Sequence, residues 1–104
     1  MATEHDMMID EEDPARIEME HLTAAIIHDN DDTTHLIVGR NNYDNEQLHS
    51  MLLLAIQHNS IHCIQYFIEV KDLDVNHPNA QYLNLAKLWT TQPTIDYLIS
   101  KGAH

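Results

Sequence analysis

Residues 83–103, with the sequence LNLAKLWTTQPTIDYLISKGA, give the clearest indication of the fold. The apolar side chains on either side of Thr91 recur every three or four residues, as is typical of amphipathic helices. Thr91 can cap a second helix, and Pro93 suits the first turn of that helix, where a missing N–H is no loss. Gly102 can end the same helix. The stretch therefore predicts two short helices joined by a tight turn, the first beginning at Tyr82.

The rest of the chain follows the same plan. The predicted helices form three pairs, namely residues 14–28 with 33–39, 48–57 with 61–71, and 82–88 with 92–101. Asp13 and Ser60 are the predicted N-caps of two of these helices, and loops are predicted at residues 41–45 and 72–80. Helices this short are marginal in water on their own, because about 12–15 residues are needed even in favourable sequences. We therefore expect the pairs to stack and share one core.

The three pairs can be aligned on Ala25, Ala55 and Ala86, which are thirty and thirty-one residues apart. Residues 83–86 with 94–103 resemble the L-H-x-A and I-V-x-x-L-L-x-x-G-A patterns of ankyrin repeats, whose period is about 33 residues. Residues 52–55 with 63–68 resemble the same patterns, and Leu73-Asp74-Val75-Asn76 resembles the A-D-V-N of that family. The T-P pair of the family is missing, since Ser50-Met51 and Gln81-Tyr82 stand in its place.

This resemblance implies an all-α fold, an ankyrin-like solenoid of helix-turn-helix repeats at residues 14–104. Its units are expected at about residues 14–42, 43–76 and 77–104, after an acidic flexible segment at residues 1–13. A helical bundle of another topology would give the same apolar periods, although it would not explain the register of the alanines. The end at residues 102–104 resembles the end of an internal repeat, so a longer array cut short is a further alternative.

The charge of the chain restricts its partners. Seventeen acidic residues against five basic ones give a net charge of −12 with neutral histidines. Such a protein is a poor ligand for nucleic acid, which requires a Lys/Arg surface, and it is repelled by anionic membranes. No apolar run approaches the roughly 20 residues of a membrane span, and residues 1–13 lack the apolar core of a signal peptide. We expect a soluble protein that meets a basic or mixed surface of another protein.

Cys63 is the only cysteine, so the chain cannot form an internal disulfide. It stands in an apolar run, where a small buried thiol is expected. A single free cysteine fits a reducing compartment, which indicates a cytoplasmic or nuclear location.

Nine histidines suggest metal binding, and His58 and His62 have the four-residue spacing of ligands on one helix. The predicted turn lies between them, however, and no Glu follows His58 as in the H-E-x-x-H motif. His49, His77 and His104 are expected to line loops. With no nucleophile motif or phosphate-binding loop in the chain, we expect no catalytic residue, no metal, no cofactor and no enzyme activity.

The resemblance also implies where a partner would bind, because ankyrin proteins use a concave face made by the C-terminal ends of the first helices, together with the loop tips. The corresponding positions are Ile27 and His28 in the first unit, Gln57 and His58 in the second, and Leu88 and Trp89 in the third. On the loops, Tyr43, Asp44 and Asn45 and then His77 and Asn79 would rim the face. Trp89 is either an exposed hot spot or a buried core residue.

The sequence thus predicts a protein–protein interaction module, in the manner of a viral or pathogen regulator of a host protein. The alternative is an acidic inhibitor that blocks a basic or nucleic-acid-binding surface of another protein. An uncapped C-terminal flank around Tyr97 would also be a candidate surface for a homodimer.

Overall fold

A computed structural model describes residues 14–77 and 81–104, and within them it contains helices and no strand, as the all-α prediction requires. The helices are α1 (Pro14–Ile27), α2 (Asp31–Gly39), α3 (Asn45–Gln57), α4 (Ile61–Gln65), α5 (Tyr82–Trp89) and α6 (Gln92–Ser100). A π-helical turn, Tyr66–Val70, continues α4 without a break. The predicted flexible segment, residues 1–13, lies outside the described residues.

The starts of α2 and α3 follow local capping chemistry. The Asn30 side chain accepts a hydrogen bond from the Thr33 N–H, so α2 begins at Asp31, two residues before the predicted start. Asp44 and Gln47 form a reciprocal capping box, in which each side chain accepts from the backbone N–H of the other. The predicted loop therefore ends at Asp44, and the prediction that it includes Asn45 is wrong.

Ser60 and Thr91 occupy the predicted N-cap positions, but neither side chain caps its helix. The buried Ser60 hydroxyl instead donates to the Ile26 carbonyl oxygen at 2.5 Å. Carbonyl groups in the last turn of a helix have no partner inside that helix. The Ile26 carbonyl also accepts from the Asp29 N–H at 3.1 Å, so the Ser60 hydroxyl adds a second bond that ties the end of α1 to the second pair instead of capping α4.

The helices pack as three successive pairs. α1 lies against α2, α3 against α4, and α5 against α6, while α1 also contacts α3, α3 contacts α5, and α2 contacts α4. Among the described residues, the core between them contains ten fully buried apolar residues: Leu22, Ile26, Leu52, Ala55, Ile56, Cys63, Ile64, Phe67, Ala86 and Leu98. The burial of Cys63 confirms the sequence-based expectation.

The three aligned alanines occupy equivalent buried positions. In the first two pairs the turn after the alanine is the same, because Asn30 N–H donates to the Ala25 carbonyl at 2.7 Å and Ser60 N–H donates to the Ala55 carbonyl at 2.8 Å. Both turns contain a left-handed residue, Asp29 or Asn59, with φ of 57° and 52°. Asp and Asn tolerate this conformation better than most residues. The turn of the third pair is extended, with Thr90 at φ −124°.

The turns also connect each pair to the next. The Asp29 carboxylate accepts from the Cys63 N–H at 3.0 Å and lies 2.7 Å from His62 Nδ1. Asn59 Oδ1 accepts from the Thr94 hydroxyl at 2.7 Å. These side chains reach residues 33 to 35 positions further along the chain. The two turns therefore lie side by side, and the first helices of the pairs run in the same direction.

Candidate protein-binding surface

The parallel first helices bring their C-terminal ends to one edge of the molecule. Six residues that the alignment selected lie there, and we call them the Trp89 edge: Ile27, His28, Gln57, His58, Leu88 and Trp89. The hydrogen bond from Ser60 to Ile26 holds the end of α1 beside the end of α3. The hydrogen bond from Thr94 to Asn59 holds the second pair against the third. The predicted helix-end residues are therefore brought together.

Trp89 is exposed, which settles one alternative left by the sequence. Its exposed fraction is 44%, and that of the neighbouring Leu88 is 73%. Leu88 lies two residues after the fully buried Ala86, so the helical rotation turns its side chain outward, and Trp89 is the last residue of α5. At the equivalent positions Gln57, His58 and His28 are also exposed, while Ile27 is half-buried. The third pair thus presents an apolar patch where the second pair is polar.

The predicted loop residues Tyr43, Asp44 and Asn45 lie at the other end of α3. The 13 residues of this helix extend about 20 Å, so these residues are well separated from Gln57 and His58. Asp44 and Asn45 are exposed, whereas Tyr43 packs partly against the core, and this burial raises its pKa. A partner that touches both groups has to lie along the length of α3.

His77 is not a free rim residue. Its ring stacks on the buried His49 ring, with centroids 3.9 Å apart and planes 15° apart. Its Nε2 is buried without a hydrogen bond, 3.4 Å from a Glu46 carboxylate oxygen. The other predicted residue of this loop, Asn79, lies outside the described residues.

A buried polar cluster joins the second and third pairs, and the sequence did not indicate it. His49 lies in α3 with 5% exposure, so the expectation that it lines a loop is wrong. The Tyr82 hydroxyl donates to the His49 carbonyl at 3.0 Å and lies 2.5 Å from His49 Nδ1. Because a hydroxyl has one hydrogen, Nδ1 must carry its own and donate it back. Burial, and next the stacked His77, lower the pKa of His49.

The spacing of His58 and His62 does not produce a metal site. His58 caps α3 and is exposed, while His62 lies across the turn and pairs with Asp29. That hydrogen bond and the charge of Asp29 raise the pKa of His62. Within residues 14–77 and 81–104, no three His, Cys, Asp or Glu side chains are arranged to hold a metal ion.

Comparison with known proteins gives no family. No protein-family model matches this sequence, and no curated protein or solved structure is significantly similar to it. In the described part of the chain, no helix combines the length and apolar character needed to cross a membrane. The candidate binding surface therefore rests on its own geometry.

Proposed function

We propose that this chain is an ankyrin-like stack of three helix pairs that binds another protein through the Trp89 edge. The stack is supported by the order of the contacts, in which each first helix lies against the next first helix. It is supported further by the repeated turn at Asp29 and Asn59, thirty residues apart.

The observation that carries the binding proposal is the exposure of Trp89 beside Leu88. Two adjacent large apolar side chains in water cost free energy that burial against a partner would recover. Tryptophan is also the residue type most enriched among binding hot spots, because its large rigid ring buries much area for little entropy. Gln57 and His58, one helix away, supply hydrogen-bonding groups around that apolar centre.

The test compares Trp89→Ala with wild type in affinity capture, followed by calorimetry with each purified protein that only the wild type retains. We expect binding to weaken more than about fivefold, which corresponds to about 1 kcal/mol. Val70→Ala is the matched control, since Val70 is 58% exposed and lies off the Trp89 edge. Circular dichroism melts should be unchanged for both variants. Equal affinities of wild type and Trp89→Ala would exclude Trp89 from the interface.

Trp89 also provides a direct signal, because it is the only tryptophan in the chain. Its emission should be that of a solvated indole in the free protein and should shift to shorter wavelength when a partner covers it. A partner that binds without moving the emission would have to use another surface.

The acidic inhibitor is the second candidate, and it is favoured by the net charge of −12. Part of this charge has a structural reason, since Asp31, Asp32 and Glu46 lie in the first turns of α2 and α3, where the helix dipole stabilises anions. Residues 1–12 contain five further acidic residues and no Lys or Arg, so the inhibitor proposal assigns the contact to this segment. Deleting them and titrating salt separates the two candidates: a large loss with steep salt dependence supports the inhibitor, and unchanged affinity supports the Trp89 edge.

A further inference from the structure

On the outer surface of the third pair, residues are exposed at positions whose aligned residues in the other two pairs are buried. Val38 and Ile68 are 2% and 7% exposed, but the aligned Ile99 is 50% exposed. We call this surface, made by Leu83, Lys87 and Ile99, the C-terminal flank.

Leu83 and Lys87 are likewise more exposed than the residues aligned with them in the first two pairs. Leu22 and Leu52 are fully buried, while the aligned Leu83 is only partly buried. Ile26 and Ile56 are also fully buried, and the aligned residue is the exposed Lys87. Tyr97, expected on this surface, instead points back to the second pair, where its hydroxyl donates to Glu69 at 2.6 Å. The C-terminal flank is thus the part of the stacking surface that has no following pair on it within the described residues.

The first pair exposes the complementary surface. Tyr66 and Tyr97 reach back to the preceding pair: the Tyr66 ring lies 4.8 Å from the His35 ring, and Tyr97 bonds to Glu69. The aligned residue in the first pair is Leu36, which is 60% exposed. The positions of Ser50 and the buried Met51 correspond to Glu20 and His21, which are both exposed. Glu20, His21 and Leu36 form what we call the N-terminal flank.

The charges of the two flanks are complementary. Inside the molecule, Ile26 lines a groove of about 220 Å³ between α1 and α3 together with Ser50 and Met51. Lys87 replaces Ile26 on the C-terminal flank, and Glu20 replaces Ser50 on the N-terminal flank. If the stacking geometry continued from one molecule to the next, Lys87 would face Glu20, whose present partner is Arg16 on the same exposed helix face.

We propose that the chain self-associates head to tail, with the C-terminal flank of one copy on the N-terminal flank of the next. A second copy is the occupant because its N-terminal flank occupies the positions on which the chain already stacks twice, and because Glu20 there has the charge opposite to that of Lys87. The contact joins two different surfaces, so each copy keeps one free flank and the assembly grows with concentration. This inference uses the same alignment of pairs as the proposed function, but it is independent of the Trp89 edge.

Sedimentation velocity over a concentration series tests the proposal with the full chain. We expect wild type to form a ladder of species of increasing size. Ile99→Glu and Leu36→Glu should each remain monomeric, because each loses one of the two required flanks. Mixed together, the two variants should form a one-to-one dimer and nothing larger, since one intact flank of each kind remains. Val70→Glu is the matched control for an added charge on an exposed apolar residue, and it should associate like wild type.

A charge exchange tests the pairing of Lys87 with Glu20. Lys87→Glu should weaken association about tenfold or more, because it places like charges at the contact. The double variant Lys87→Glu with Glu20→Lys should restore it. Lys71→Glu changes the net charge by the same amount at a site off both flanks, so it controls for general repulsion between acidic copies.

Three results would overturn the proposal. The first is a wild type that does not exceed a monomer at any concentration, which would make Lys87 a polar cap. The second is a Leu36→Glu variant that associates as wild type does, which would indicate a symmetric contact of two C-terminal flanks. The third is a mixture of Ile99→Glu and Leu36→Glu that stays monomeric although each variant is folded by circular dichroism. A loss of partner binding in Trp89→Ala would leave all three readouts unchanged, so the two proposals fail separately.

Discussion

The Tyr82 hydroxyl and His49 are joined by two hydrogen bonds, one to the His49 carbonyl oxygen and one from its Nδ1–H. Tyr82 begins α5 and is 1% exposed, and His49 lies one turn into α3. The two bonds therefore hold the third pair on the second. Burial raises the pKa of Tyr82 well above its usual value, so the hydroxyl remains protonated and able to donate.

Removing this hydroxyl should destabilise the fold. In Tyr82→Phe the His49 carbonyl oxygen and Nδ1 both lose a hydrogen-bond partner while they remain buried. We therefore expect the free energy of unfolding to fall by about 1–3 kcal/mol. Urea unfolding followed by circular dichroism measures the change. Tyr43→Phe is the matched control, because Tyr43 is only half-buried and lies away from His49. An equal effect of the two variants would mean that the Tyr82 bonds contribute little net stability.

His49 should make stability depend on pH. Its folded pKa is lowered from 6.5, mainly by burial and next by the stacked His77, while the nearby carboxylates of Glu46 and Asp74 oppose the shift. The unfolded chain therefore binds the proton more readily, and the stability that depends on neutral His49 is present above about pH 6.5 and lost as the pH falls. The difference in free energy of unfolding between wild type and His49→Gln should shrink on acidification. A constant difference from about pH 7.5 to about pH 5.5 would contradict the prediction.

Each carboxylate oxygen of Asp29 binds a different group of the second pair, the Cys63 N–H and the His62 ring, and substitutions can separate the two effects. In Asp29→Asn the bond from the Cys63 N–H can remain and the left-handed turn is tolerated, as the natural Asn59 illustrates. The pKa of His62 should then fall towards its usual value, because the hydrogen bond and the charge of Asp29 raise it. An NMR titration of the His62 ring measures this shift. Asp31→Asn removes an exposed acid next to the same turn and should move the His62 pKa much less.

Asp29→Ala should lower the free energy of unfolding more than Asp29→Asn does. It removes the acceptor for the Cys63 N–H and places alanine at φ 57°, where a residue with a Cβ and no local polar group is strained. We expect a loss of about 1–2 kcal/mol in the free energy of unfolding. Equal stability of the alanine and asparagine variants in urea would show that the turn is held by other contacts.

Cys63 should be inert in the folded protein. It is fully buried, and burial raises its pKa to about 11, so very little thiolate exists at neutral pH. Reaction with a disulfide reagent should be slow in buffer and rapid in urea. A fast reaction in buffer, with unchanged circular dichroism, would reveal local opening around α4.

Much of the secondary structure could be predicted from the sequence, because helix starts and ends depend on neighbouring residues. Thr91 and Pro93 mark the start of α6. The apolar periodicity indicates which face of each helix is turned to the core. The spacing of Ala25, Ala55 and Ala86 also located three equivalent buried positions. Ser60 and Thr91 are exceptions to the predicted capping, because each occupies the N-cap position but its side chain makes no capping hydrogen bond.

Other features depend on which elements meet. The burial of His49 requires Tyr82, 33 residues away, to supply a partner for a polar ring, and no local pattern reports that. The exposure of Ile99 likewise depends on packing, since the aligned Ile68 is equally apolar but is buried, and no helix pair packs on Ile99 within the described residues. Local sequence sets the shape of each helix through hydrogen bonds a few residues apart. Burial, and with it the surfaces offered to a partner or a second copy, depends on contacts about thirty residues apart, which only the packed chain establishes.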